Sequence, residues 1–298
     1  MANHSDREAI EQLIAAFRVD DPGRFRIADH DPANTDGVAN KAAAQDRLAA
    51  GVERLADLQG RLAAQQTYGL LAVIQALDAA GKDGAVKHVM TGVNPAGVQV
   101  HNFKAPSTDE LAHHFLWRVS GALPRRGEIS IFNRSHYEEV LVVRVQPEFL
   151  AGEHLPPAAT RGDIWKRRYR EINDWEQMLV DNGFPVVKIF LHLSKDEQRT
   201  RLLSRIDTPA KNWKFSSQDL SARARWDDYQ AAYEEMIQHT STKAAPWFVV
   251  PADTKWFTRL IVAEVIAAAL LDIDPHYPTL SEDALAELTH AKRALESE

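Results

Sequence analysis

The sequence predicts an α/β fold with a parallel sheet between helices, and three observations predict it. Apolar stretches recur from Leu70 and at Val98–Phe103, Ile129–Asn133, Val186–Leu193 and Trp247–Pro251, with helical patterns between them. Strands that alternate with helices form parallel sheets covered on both faces. Ser107-Thr-Asp-Glu110 and Ser194-Lys-Asp-Glu197 both have capping-box spacing and mark helix starts. The run from Leu70 ends in a small-residue turn carrying Gly81-Lys82, followed by a helix-compatible segment. Inward-pointing backbone N–H groups, a helix N-terminus and a lysine make such a turn a phosphate cradle.

The elements follow in order. Ser5 to Phe17 reads as a short amphipathic helix with Ile10, Leu13, Ile14 and Phe17 on one face, and Asp20 to Gly37 as an extended arm. Ala42 to Tyr68 has helical periodicity at Leu48, Val52, Leu55, Leu58 and Leu62. The phosphate turn departs from G-x-x-x-x-G-K-[ST] twice: Ala76 replaces the first glycine and Asp83 the Ser/Thr. Asp78 adds a carboxylate inside the loop. Anions repel a phosphate unless a divalent cation lies between them, so the turn calls for Mg²⁺, with Mn²⁺ as its substitute. A plain strand–turn–helix connection is the competing reading.

Ligands in parallel sheets sit at the carboxyl ends of the strands. Asn133-Arg134-Ser135 falls at such an end, as the phosphate turn does. Between Arg199 and Met236 lie Arg199, Arg201, Arg205, Lys211, Lys214, Arg223 and Arg225, with Pro209 and Trp213 breaking a helix in two. That is the composition of a phosphate-closing lid; a solvated face paired with nearby acids is the alternative. Ile261 to Leu271 reads as a final packed helix, and the tail after Pro278 as polar and peripheral.

With 35 Lys+Arg against 42 Asp+Glu, the net charge is −7, which argues against nucleic acid as the partner. The absence of cysteine excludes disulfides, thiolate chemistry and cysteine-based zinc sites. No apolar run reaches bilayer length, no leader is evident, and the expected place is the cytoplasm, with no membrane partner. The 12 histidines show no paired metal-ligand spacing. His136 is expected to be structural rather than a phosphate carrier.

Taken together, Gln75-Ala-Leu-Asp-Ala-Ala-Gly-Lys-Asp-Gly84, Gly92-Val-Asn-Pro95, Phe103-Lys-Ala-Pro106, Ile131-Phe-Asn-Arg-Ser-His-Tyr-Glu-Glu-Val140 and Lys211-Asn-Trp-Lys-Phe-Ser216 resemble the family 2 polyphosphate kinases, over about residues 17–278. The resemblance implies a P-loop kinase fold similar to thymidylate kinase with a helical lid. It also implies Mg²⁺-dependent transfer of the terminal phosphate of inorganic polyphosphate to AMP and ADP, forming ADP and ATP. Asn133, where the subgroup acting on nucleoside diphosphates has Asp, is similar to the subgroup that accepts both AMP and ADP.

Carried over by residue, the resemblance makes Asp78, Lys82 and Arg134 catalytic and gives Asp78 and Glu138 the metal. Polyphosphate falls to Ala79, Ala80, Gly81, Lys82, Asp83, Gly84, Lys87, Arg199, Lys211 and Lys214. The nucleotide falls to Asn94, Asn133, Arg134, Arg144 and Arg205. The expected organisation is an N-terminal arm with helices over 1–60, a kinase domain over 61–278 with its lid at about 199–236, and a tail over 279–298. A homo-oligomer, tetramer or dimer, is expected. Two alternatives stay open from the sequence: an ATP-dependent nucleoside monophosphate kinase and a non-catalytic polyphosphate-binding protein.

Overall fold

A computed structural model describes residues 4–298, so the first three residues of the expected 1–60 segment lie outside the described residues. Its strands are β1 (Leu70–Gln75), β2 (Val98–Asn102), β3 (Ile129–Asn133), β4 (Val186–His192) and β5 (Trp247–Pro251). They form one sheet in the order β2-β3-β1-β4-β5, with every neighbouring pair parallel. All five stretches expected as strands are strands.

Side chains alternate across the sheet, so β1 feeds two cores. Leu70, Ala72 and Ile74 join one apolar cluster, and Leu71 and Val73 the other. The first cluster packs α1 (His4–Ala15), α2 (Lys41–Gln65), α3 (Lys82–Val89) and α8 (Lys255–Ile273). The second holds residues of α4 (Ile164–Asp181) and α7 (Trp226–Thr240). Between α4 and α7 run α5 (Lys195–Asp207) and α6 (Ser217–Ala224).

The N-terminal segment is part of this core. Ile10, Leu13, Ile14 and Phe17 are buried in the first cluster, as expected of that face. Val19 N donates to Trp247 O at 2.9 Å and Val249 N to Phe17 O at 2.7 Å, so the chain covers the open edge of β5. The boundary expected between residues 60 and 61 falls inside the continuous helix α2, whose Leu55, Leu58 and Leu62 are buried. The helix Lys255–Ile273 is apolar and buried on most sides, as expected, but it is not the last. The tail forms α9 (Glu282–Glu296), with Leu285, Leu288 and Leu295 exposed. Among the described residues no helix is long and apolar enough to cross a membrane.

Behind the β3 turn, Arg168 is buried and donates to Glu139 O at 3.0 Å, to Glu139 Oε2 at 3.2 Å and to Glu153. Burial pushes the Glu139 carboxyl up to about 7, Arg168 opposes the rise and Glu153 adds to it. A carboxyl raised by folding favours the protonated native state, so its contribution to stability is whole below 4.5 and is lost as pH rises through about 7. Glu139→Gln is expected to flatten the pH dependence of stability across that window in urea melts.

Candidate active site

The carboxyl ends of β1 and β3 are adjacent, since Ile74 pairs with Asn133. Two tight turns leave them side by side. After β1, Ala79 takes φ +69 and Gly81 φ +103; after β3, Arg134 takes φ +64. Non-glycine residues in the left-handed region cost about 1–3 kcal/mol each and cluster at functional turns. Gly81→Ala would place a Cβ on such a backbone. It is expected to cost about 1–2 kcal/mol in denaturant melts and to lower turnover.

These turns aim three charges at one another. Arg134 Nη2 donates to Asp78 Oδ1 at 2.5 Å. The buried Lys82 ammonium donates to Ala76 O at 2.8 Å, folded back on its own loop. Burial alone would raise the Asp78 carboxyl, but Lys82 and Arg134 outweigh it and hold it below its ordinary value. Asp78 is therefore an anion. Burial lowers the Lys82 ammonium, and Asp78 pulls it partly back. Glu138 faces the same cations; burial raises its carboxyl, and Arg134 and Lys82 offset only part of that rise.

The loop is braced from two sides. Asn133 Nδ2 donates to Asp83 Oδ1 at 2.8 Å and to Asn102 Oδ1 at 2.6 Å, tying the start of α3 to the sheet. Its Oδ1 is buried without a partner. From α5, Gln198 Nε2 donates to Asp78 O at 3.1 Å. Arg201 Nη1 donates to Ala79 O at 3.1 Å and Ala80 O at 2.8 Å, and its Nη2 to Ala252 O at 2.6 Å and Asp253 O at 2.9 Å. Arg201 thus satisfies carbonyls that the tight turn leaves without helix or sheet partners. The composition placed Arg201 in a basic lid; it is instead a buried strut under the loop. A signal was present: Gln198 and Arg201 stand three apart on a helix that opens at the end of β4, where the sheet's ligands gather.

The structure brings together Asp78, Lys82, Asp83, Asn133, Arg134 and Glu138, with Ala79, Ala80, Gly81 and Gly84 forming the turn and first helical turn. Arg205 donates to Asp219 Oδ2 at 3.2 Å and lies close enough to help lower the Asp78 carboxyl. Lys87 is exposed on α3, and Lys211 and Lys214 are exposed in the turn Pro209–Lys214, Lys214 resting 5.1 Å from the centre of the Trp213 ring.

Three further expected residues stand apart from this group or hold other partners. Asn94 caps the turn Pro95–Gly97 ahead of β2, at the amino edge of the sheet, a strand's length of about 15–20 Å from the phosphate turn. It closes a turn, accepting from Ala96 N at 3.0 Å, and is corrected from a nucleotide ligand to a structural residue. Arg144 is engaged by Tyr169 Oη at 2.7 Å and by Glu235, with Trp165 stacked near it. Arg199 is exposed, about 100° round α5 from Gln198, the residue that reaches the loop. His136 is fully buried beside Glu176 and Trp175, as a structural histidine should be.

Known proteins match this architecture. The model of the family "Polyphosphate kinase 2 (PPK2)" matches residues 38–277. An AMP/ADP-polyphosphate phosphotransferase of Meiothermus ruber is 45% identical over 275 residues, covering 91% of this chain and 99% of that one. An ADP-polyphosphate phosphotransferase of Rhodopseudomonas palustris is 51% identical over 245 residues, covering 82% and 85%. The crystal structure of polyphosphate kinase 2 from Arthrobacter aurescens TC1 superposes with a TM-score of 0.84 at 40% identity, covering 93% of this chain and 95% of that one. A phosphate turn, a braced arginine beside it and a match over most of the length lead to one assignment: the chain belongs to the polyphosphate kinase 2 family.

Proposed function

We infer that the protein transfers the terminal phosphate of inorganic polyphosphate to AMP and ADP, forming ADP and ATP. The observation that carries this is the convergence of Lys82 and Arg134 on Asp78 at the mouth of the β1 turn. Two cations and one low-pKa anion form a cradle in which two polyanions can meet end to end. Acceptance of AMP as well as ADP is supported by Asn133 and by the likeness, over nearly the whole of both chains, to the Meiothermus ruber enzyme.

A terminal oxygen of the acceptor phosphate attacks the end phosphorus of the polymer in line. The new P–O bond forms as the bond to the next phosphate breaks, and the shortened chain leaves with the electron pair. That acceptor oxygen is already ionised near neutral pH, so no strong general base is needed. Positioning and charge neutralisation supply most of the rate. Lys82, now held by Ala76 O, turns to the transferring phosphate, and Arg134 divides its donors between Asp78 and that phosphate. Asp83 holds Asn133 in place, and backbone N–H groups from Gly81 to Gly84 face the oxygens.

The carboxylates of Asp78 and Glu138 fit Mg²⁺, which is commonly held by one or two carboxylates while phosphates and water complete its oxygen set; Mn²⁺ accepts the same donors. When bound, the ion neutralises charge between the two substrates. The cytoplasm is the proposed compartment, and a homo-oligomer, dimer or tetramer, the proposed assembly, with the exposed leucines of α9 as apolar surface for a second copy.

Purified protein given AMP, polyphosphate and Mg²⁺, without ATP, is expected to form ADP and then ATP, followed by chromatography. Phosphate transfer to AMP only when ATP is supplied would replace this reading with an ATP-dependent monophosphate kinase.

A further inference from the structure

The arm that follows α1 is tied to the body at both of its ends. Ile27 N donates to Glu234 Oε2 at 2.8 Å and Gln238 Nε2 to Phe25 O at 2.8 Å, so α7 holds its first half. The turn after β5 holds its second half, where Asp253 N donates to Pro32 O at 3.0 Å. Asp253 also accepts from Ser194 N at Oδ1 at 2.8 Å, and from Arg201 Nη2 at its backbone O at 2.9 Å. Arg201 in turn bonds the Ala79 and Ala80 carbonyls of the phosphate turn. Hydrogen bonds therefore run from the arm to the phosphate turn through two residues, Asp253 and Arg201.

Under the arm sits a pair of histidines. His192 ends β4 and His30 belongs to the arm; with Asp29, Asp31 and Asn34 they line a cavity of about 180 Å³. The Phe25 ring lies 5.0 Å from that of His30, and the Phe190 ring 5.7 Å from that of His192. His192 is 8% exposed, and its Nδ1 is buried without a partner. A ring so placed is far cheaper to bury neutral than charged. Burial, with His30 beside it, lowers the His192 imidazolium to about 4, and a hydrogen bond to the His30 backbone, Asp253 and Asp31 offset only part of the fall. Burial lowers His30 too, against the pull of Asp29. The one cation held on this turn, Arg201, is engaged by the Ala252 and Asp253 carbonyls.

We propose that the N-terminal arm positions the phosphate turn through Asp253 and Arg201, and that protonation of His192 lifts the arm and loosens the turn. A histidine lowered by folding favours the seated arm while it is neutral. Its contribution is whole above 6.5 and is lost as pH falls from there through about 4. With the arm lifted, water reaches His192, Asp253 N loses its acceptor, and the residue that anchors Arg201 is held less firmly. The device lies outside the transfer chemistry and is independent of which substrates the turn accepts.

The test is amide hydrogen exchange of the full chain at about pH 7.5 and about pH 5.5, each amide referred to its intrinsic rate at that pH. Protection of the Ile27 and Asp253 amides is expected to fall about 10-fold at the lower pH, as follows for a group of 6.5 when free and about 4 when covered. The Ala80 amide in the phosphate turn should lose protection in step. His192→Gln keeps a polar side chain that takes no proton, and should hold its protection at both values. His30→Gln alters a half-buried side chain and is expected to shrink the loss, which keeps the test open should His192→Gln fold poorly. Unchanged protection of the wild-type arm would overturn the switch. An arm that opens while the turn stays protected would overturn the relay, and a wild-type loss in His192→Gln would overturn the role of His192.

Discussion

Lys82→Ala is expected to lower turnover by about 10²–10³-fold, the scale of losing one preorganised charged donor at a transferring group. The ammonium is buried at the N-terminus of α3, within range of the Asp78, Glu138 and Asp83 carboxylates, while the other cation at the turn, Arg201, is committed to the Ala79 and Ala80 carbonyls. Arg134 approaches from the β3 side and cannot replace it. The fold should stand, because the bond lost is Lys82 Nζ to Ala76 O, and an unpaired carbonyl costs about 1–3 kcal/mol. Single-turnover rates beside a thermal melt separate the two effects. A wild-type rate would place the chemistry elsewhere.

The second large effect is on stability. Lys188, in the middle of β4, is fully buried and donates to Glu176 Oε2 at 2.6 Å, Tyr137 Oη at 2.9 Å and Thr240 O at 2.6 Å. Tyr137 Oη in turn donates to Glu176 Oε1 at 2.7 Å. Burial would raise the Glu176 carboxyl, but Lys188 and His136 outweigh it and hold it down. Lys188→Met would leave the buried Glu176 carboxylate without its cation, which costs about 3–5 kcal/mol. The double replacement Lys188→Met/Glu176→Leu should recover most of that, because it removes both charges together. Chemical denaturation of the wild type and the two variants checks the order. Equal losses in the single and double variants would mean that packing, not the unpaired charge, sets the cost. The network also pins Tyr137, three residues beyond Arg134, so the single variant should weaken catalysis as well.

The reach of sequence reading differs sharply between these two sites. The phosphate turn is contiguous: Asp78, Gly81 and Lys82 sit within five residues, and their spacing carries the chemistry. The Lys188 network joins residues 51 and 52 positions away, at Tyr137 and Thr240. A lysine inside an apolar run gives no sign of which acid will meet it. Arg201 misleads for a related reason. Its neighbours in the chain are basic and polar, which suggests a solvated face or a lid, yet the i, i+3 spacing from Gln198 turns it under the loop.

Asn94 shows the reverse error. It is close to Lys82 along the chain, but α3 runs back down the sheet and delivers it to the far edge. Arg144 carries the right charge and is held by Tyr169 and Glu235.

Strand positions, the two-faced sheet and the cradle were legible because each is encoded by local periodicity or by a turn's own backbone needs. Which arginines brace the loop and which carboxylate meets Lys188 were settled only by packing. Those outcomes depend on long-range burial: a charge's partner is whatever the folded chain leaves within a few ångströms of it, and distance along the sequence carries no measure of that.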